Sequence, residues 1–266
     1  MHSKMRQHRC KDECGRFRLR KNVLAVVHAV SERLVTEGAE AVFVFGSQVR
    51  GDAYKESDVD VHAIGKKSSY KLERLQGFLL SVSWETTQQH RRAFKDPAKV
   101  GGIIPAWRNA LIVYDPKKIA KQLKQEAIEW QWASLGRSPD KWVAEELTGW
   151  AEEVHRLVGN LELKRKSAAA VQRSVLAIQM AKVMAVHHRI LYDSENRLWD
   201  LVSEKMGTAW KSVQNAALGE NEGSFEDTCD AALHLFSLAA RETRHLLDER
   251  QLQVVEHACE IAGHPL

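Results

Sequence analysis

Cysteine is scarce in this chain, long uncharged runs are missing, and neither sign of charge dominates. Four cysteines in 266 residues, at positions 10, 14, 229 and 259, form no disulfide-like framework. Reduced thiols, and the cytoplasm as the default location, are therefore expected. The longest stretches free of Asp, Glu, Lys and Arg, such as Asn22 to Ser31 and Ala231 to Ala240, run ten residues. That is about half of a membrane span, so no transmembrane helix is expected. Lysine plus arginine number 39 against 35 for aspartate plus glutamate, a surplus too small to argue for nucleic acid or another polyanionic partner.

What remains is the composition of a folding chain: 44% hydrophobic and 28% charged residues, which excludes disordered and low-complexity classes. The first 21 residues are basic but lack the apolar core of a secretory signal, and residues 1–20 read as a solvated arm. His8, Cys10 and Cys14 lie close together, but no second ligand pair follows at zinc-finger spacing, and no metal is assigned there.

The hydrophobic period changes once along the chain. Before Asp115, short β-branched and aromatic runs at 41–45, 59–64, 78–84 and 110–114 predict strands. Helical spacing predicts helices at 22–37, 69–76 and 86–95, with Gly38 as the stop of the first. After Asp115-Pro116 only helical periodicity follows, broken at Gly136 to Pro139 and at Gly219 to Gly223. Residues 167–191 are apolar nearly all round, as for a helix central to a bundle. The expected fold is α+β, with a small mixed-sheet α/β domain at 21–115 followed by an all-helical bundle domain at 116–266.

One stretch carries chemistry. Val42 to Asp52 reads VFVFGSQVRGD, and Ser57 to Ile64 reads SDVDVHAI. An apolar strand ending at Gly46-Ser47 lets backbone approach a ligand closely, with N–H groups and a hydroxyl available to phosphate. Asp58 and Asp60 are two residues apart on the next strand, so both carboxylates share one face while Val59 and Val61 take the other. Two such carboxylates repel unless a cation intervenes, and oxygen donors beside phosphate favour Mg²⁺.

At these residues the sequence resembles the nucleotidyltransferase superfamily that includes DNA polymerase β, especially the aminoglycoside and lincosamide nucleotidyltransferases. The resemblance implies that Gly46 and Ser47 hold a triphosphate and that Asp58 and Asp60 ligate two Mg²⁺ ions. It implies a helical domain that helps enclose donor and acceptor. The function it implies is transfer of a nucleoside monophosphate, AMP from ATP or another nucleoside triphosphate, to a hydroxyl of a small molecule such as an antibiotic. The alternatives are adenylylation of protein or RNA, and a catalytically idle nucleotide-binding protein.

Such enzymes carry a third carboxylate on a later strand. Here Glu85 is the only acid on the polar face of 78–85, and it lies at the strand's end where the family position within the strand is serine. Glu145 or Glu146, or metal alone, could serve instead. Asp115 reads as a turn residue before Pro116. Arg50 could reach a phosphate or brace its loop, Arg173 and Lys182 could meet triphosphate or sit at a helix's solvent edge, and His62 shares the carboxylate face. The tryptophans read as helix packing, and His187-His188 take no role, because adjacent helical residues diverge. A homodimer is left open, since the residues do not fix the oligomeric state.

Overall fold

The structure is a computed structural model that describes residues 19–266. The basic arm up to residue 18, with His8, Cys10 and Cys14, lies outside the described residues. The chain divides into two compact units, one ending at Gln131 and the other spanning Trp132–Leu266. The fold is α+β, as expected.

The first unit runs α1 (Lys21–Thr36), β1 (Ala41–Val44), α2 (Gly46–Arg50), β2 (Val59–Ile64), β3 (Ser69–Leu75), β4 (Phe78–Glu85), α3 (Thr87–Ala93), α4 (Pro97–Asn109), β5 (Leu111–Tyr114) and α5 (Ile119–Glu129). The strands form one sheet in the order β3-β4-β2-β1-β5. Only β2 and β4 are parallel, so the sheet is mixed. One face is apolar: Val42, Val44, Val59, Val61, Leu80 and Val82 pack under Val23, Val26, Val27, Val30 and Leu34 of α1. That α1 stripe follows the three-and-four spacing of an amphipathic helix.

The opposite face is polar toward β3 and aromatic toward β5. Cross-strand rows on it read Leu72, Ser81, Asp60 and then Tyr70, Ser83, His62, Phe43, Ile112. Phe43 packs against Trp107 of α4, ring centres 4.5 Å apart, with Phe45 and His90 also touching that indole. The outer end of the face, at Tyr70 and Leu72, is exposed.

Three sequence expectations need correction here. Residues 69–75 form strand β3, not a helix. Gln76 and Gly77, both with positive φ (50° and 87°), close a two-residue hairpin with β4, a type I′ connection that matches strand twist. Helix α4 was not expected, because Gly101, Gly102 and Pro105 lower helix propensity. It forms because Asp96 caps it, Pro97 opens it, and its Val100, Ile104 and Trp107 are fully buried. The boundary falls after Gln131 rather than at Asp115, since α5 is tied into the first unit: Arg108 donates to the carbonyls of Ala127 and Trp130, each at 2.9 Å, and the Trp130 indole donates to Phe94 at 2.9 Å.

The second unit is all helical: α6 (Ser138–Glu162), α7 (Lys166–His187), α8 (Leu198–Met206), α9 (Thr208–Leu218), α10 (Phe225–Thr243) and α11 (Glu249–Ile261), with short 3₁₀ turns between some of them. Leu147, Val154, Leu176, Met180, Trp210 and Phe236 belong to its core. Helix α7 is long and apolar enough to cross a membrane by length and composition, yet half of that window is buried inside the fold. Val171 and Ile178 remain exposed on it, so the all-round apolar character is only partly spent on the core. Trp132, Trp142 and Trp150 pack against this core, as their helix-packing reading requires.

Replacing Trp107, the indole that seals the aromatic half of the sheet face, with alanine is expected to destabilise the protein by about 3–5 kcal/mol. Urea denaturation of Trp107→Ala against the parent chain measures it.

Candidate active site

The sheet brings Gly46, Asp58 and Asp60 to one place. β1 is fully buried and is followed by Phe45, whose N–H donates to the Asp60 carbonyl at 3.1 Å. The chain then turns at Gly46, with φ +79°, into the single turn of α2. A Cβ at Gly46 would lie 2.0 Å from Asp60 Oδ2. Both the backbone conformation and the carboxylate behind it therefore demand glycine. No side chain among the described residues caps the amino end of α2, where half-buried Ser47 presents its N–H and hydroxyl in the first turn.

The loop from α2 to β2 is held by buried Gln48 and Ser57. Gln48 Nε2 donates to the Ser57 carbonyl at 3.3 Å, and the Tyr54 N–H donates to Ser57 Oγ at 3.0 Å. These bonds deliver Asp58 to the start of β2, on the same side as Asp60, while Val59 and Val61 are buried on the α1 side. Sequence reasoning placed Ser57 in the motif but gave it and Gln48 no role; burial of two polar residues around one loop is their structural signature.

Electrostatics record the crowding. The Asp60 carboxyl is pushed up to about 6, first by burial and then by the neighbouring Asp58 charge, against a hydrogen bond from Ser81 and the attraction of Arg50. Arg50 also pairs with Asp52 at 3.3 Å. It thus braces its loop and still biases Asp60. Ser81 is opposite Asp60 in the β2/β4 register, in the place where a third acid was sought.

Glu85 does not join the pair. It sits opposite Ile64, four residues beyond Ser81, which at strand spacing is about 13 Å away. Its carboxylate is instead 3.4 Å from His90 Nδ1, and burial pushes its pKa up. His62 is stacked on Phe43 and held down to about 3 by burial and by His90, hence neutral. Buried nitrogens of His62, His90 and Trp107 lack hydrogen-bond partners among the described residues. Asp115 accepts the Lys121 N–H at 2.8 Å in the first turn of α5, a structural role.

The helical-unit candidates are not gathered together. Arg173 and Lys182 are nine residues apart on α7, which puts them about 180° apart around the axis and about 13 Å apart along it. Arg173 donates to Thr228 Oγ1 at 3.0 Å and lies over the Phe225 ring. Glu145 pairs with Lys141, and Glu146 accepts the Trp150 indole N–H at 3.0 Å.

Two measurements follow from this geometry. An ionised Asp60 whose folded pKa exceeds its unfolded value destabilises the fold above that pKa and not below the unfolded one. In metal-free protein, Asp60→Asn is therefore expected to gain stability on the order of 3 kcal/mol above pH 6, a gain that fades by about pH 4; denaturation curves across that range check it. Gly46→Ala, which drives a methyl group into the Asp60 carboxylate, is expected to lower the melting temperature by several degrees, measured by thermal denaturation.

No curated protein matches the chain significantly. Among solved structures, a nucleotidyltransferase-like protein from Exiguobacterium sibiricum 255-15 superposes with a TM-score of 0.49 at 12% identity, over 90% of this chain and 78% of that one. The family model described as a nucleotidyltransferase domain matches residues 27–156, a span that includes Gly46, Ser47, Asp58 and Asp60, and this match supports transferase activity of the general nucleotidyl-transfer kind.

Proposed function

We propose that this chain transfers a nucleoside monophosphate, AMP from ATP in the first instance, to a hydroxyl of a small molecule. The observation that carries the reading is the Asp60 carboxylate set against the Gly46 turn, 2.0 Å from where a Cβ would stand, with Asp58 alongside. The donor set of two carboxylates and the Ser81 hydroxyl is all oxygen, which fits a hard divalent cation such as Mg²⁺. Asp58 and Asp60 would hold one or two such ions, which when bound supply positive charge to the triphosphate and lower the pKa of a hydroxyl.

The chain's own residues then divide the work. The Gly46 turn carries the backbone close past Asp60, and the Ser47 N–H and hydroxyl donate to the oxygens of the triphosphate. Asp58 and Asp60, fixed on a central strand, set the orientation of the reacting groups. The acceptor oxygen forms a bond to the α-phosphorus, the bond to pyrophosphate breaks, and the hydroxyl proton leaves to a carboxylate or to water. Aminoglycoside- and lincosamide-like compounds are the first acceptors to test, on the strength of the motif's resemblance.

One observation favours a second reading, nucleotide binding without turnover: the position opposite Asp60 is Ser81, with Glu85 far along the strand. Incubating the full chain with Mg²⁺, each nucleoside triphosphate and hydroxylated acceptors, RNA and protein, and following pyrophosphate release and acceptor mass, separates the readings. Transfer to a small acceptor is expected, with Asp58→Asn and Asp60→Asn each reducing it at least about a thousandfold, on the order of 4 kcal/mol of barrier. Near-parental transfer by either variant overturns the assignment. Nucleotide binding with no transfer by the parent, rescued in Ser81→Asp, is the outcome the second reading expects.

A further inference from the structure

At the carboxyl end of α7 the helical unit gathers a different set of donors. Adjacent side chains within a helix diverge by about 100°, which is why His187 and His188 carry no role by sequence. The helix stops at this pair. His188 is its carboxyl cap, with φ −85° and ψ 6°, and Arg189 takes the left-handed conformation at φ 58°. The Ile190 N–H closes on the Ala185 carbonyl and the Arg189 N–H on that of Val186, a Schellman ending.

A left-handed residue other than glycine is strained by about 1–2 kcal/mol. Here the Arg189 side chain holds it in place, donating to the carbonyls of Val186 at 2.6 Å and His187 at 3.3 Å, and to Asp140 Oδ1 at 2.5 Å. As a result the two imidazoles stand with ring centres 4.6 Å apart. Their Nε2 atoms lie 3.9 Å and 3.7 Å from the same oxygen, Glu242 Oε1 on α10. Ligand atoms of the three residues are all within 4.8 Å of one another. Met206 Sδ, at the end of α8, is 3.0 Å from His188 Nε2, and His187 Nδ1 is buried without a partner among the described residues.

We propose that His187, His188 and Glu242, with the Met206 thioether or a water as fourth ligand, bind a borderline transition-metal cation such as Zn²⁺. Two imidazoles, a carboxylate and a soft sulfur match Zn²⁺ and not Mg²⁺. Zinc–nitrogen bonds of about 2.0–2.1 Å place tetrahedral donors about 3.4 Å apart. Glu242 thus has to close by a few tenths of an ångström, its carboxylate, 45% exposed, having room to move, and the imidazole nitrogens, within 4.8 Å of each other, have to reach the same spacing. A plain histidine–glutamate ion pair fits less well, because burial is the largest influence holding both rings toward the neutral form. His188 together with His245 near His187, and Lys205 with Arg189 near His188, add to it against the pull of Glu242.

The test is a Co²⁺ titration of the metal-stripped full chain in excess Mg²⁺, which competes for all-oxygen sites, followed by visible d–d absorption. One equivalent of Co²⁺ with the intense bands of tetrahedral coordination is expected, displaced by Zn²⁺. Loss of even an outer-shell partner costs about 10–100-fold in affinity, so Glu242→Gln is expected to weaken binding at least about tenfold, and His188→Gln to remove the bands. Asp60→Asn is expected to leave the spectrum unchanged. Weak octahedral bands alone overturn the site, as do tetrahedral bands that Glu242→Gln reaches at the parental Co²⁺ concentration. Should the largely buried His188 variant fail to fold, the exposed Glu242 variant, checked by circular dichroism, decides.

Discussion

The first unit depends on one close approach: a carboxylate oxygen of Asp60 lying where any side chain at position 46 would begin. Beside it the Phe45 N–H donates to the Asp60 carbonyl and ties the end of β1 to the start of β2, and the crowding together with the positive φ of Gly46 calls for glycine in the turn. The raised pKa of Asp60 is the electrostatic record of the same crowding. A site that presses two like charges together sacrifices stability for readiness to accept a counter-charge, and such a trade marks functional sites more often than structural ones.

Around that contact the sheet separates its tasks by face. The α1 side is a continuous apolar layer in which Val59 and Val61 lock the register of β2. A slip by one residue would send both aspartates into that layer, so the hydrophobic packing on one side fixes the chemistry on the other. The opposite face then has to change character along its width. Phe43, Phe45 and Trp107 exclude water beneath α4, while Asp58 and Asp60 remain partly accessible in front of a buried Ser81.

Much of this was legible from residues alone. The strands at 41–44 and 59–64 follow from β-branched alternation, and the pairing of Asp58 with Asp60 on one face follows from the two-residue period. What escaped was set by long-range partners. β3 looks helical in isolation because it is a polar edge strand, and only the Gln76-Gly77 turn, a pair unlike the usual Asn-Gly, reveals its hairpin. Helix α4 contains two glycines and a proline and is rescued by burying Trp107. The position of Glu85 depended on the parallel register between β2 and β4, which no local pattern encodes. The convergence of His187 and His188 on Glu242 depended on where α7 ends, and it ends on an arginine in a conformation that sequence rules reserve for glycine or asparagine.

The strand order carries a consequence of its own. β2 is the third of five strands, flanked by β4 and β3 on one side and by β1 and β5 on the other. Local opening in proteins starts from margins with few neighbours, and both margins of this sheet are one strand removed from the backbone that bears Asp60. Fraying of the exposed β3 hairpin or of the short β5 can therefore come and go while the aspartate pair keeps its spacing, so the margins of this sheet can breathe without disturbing its centre.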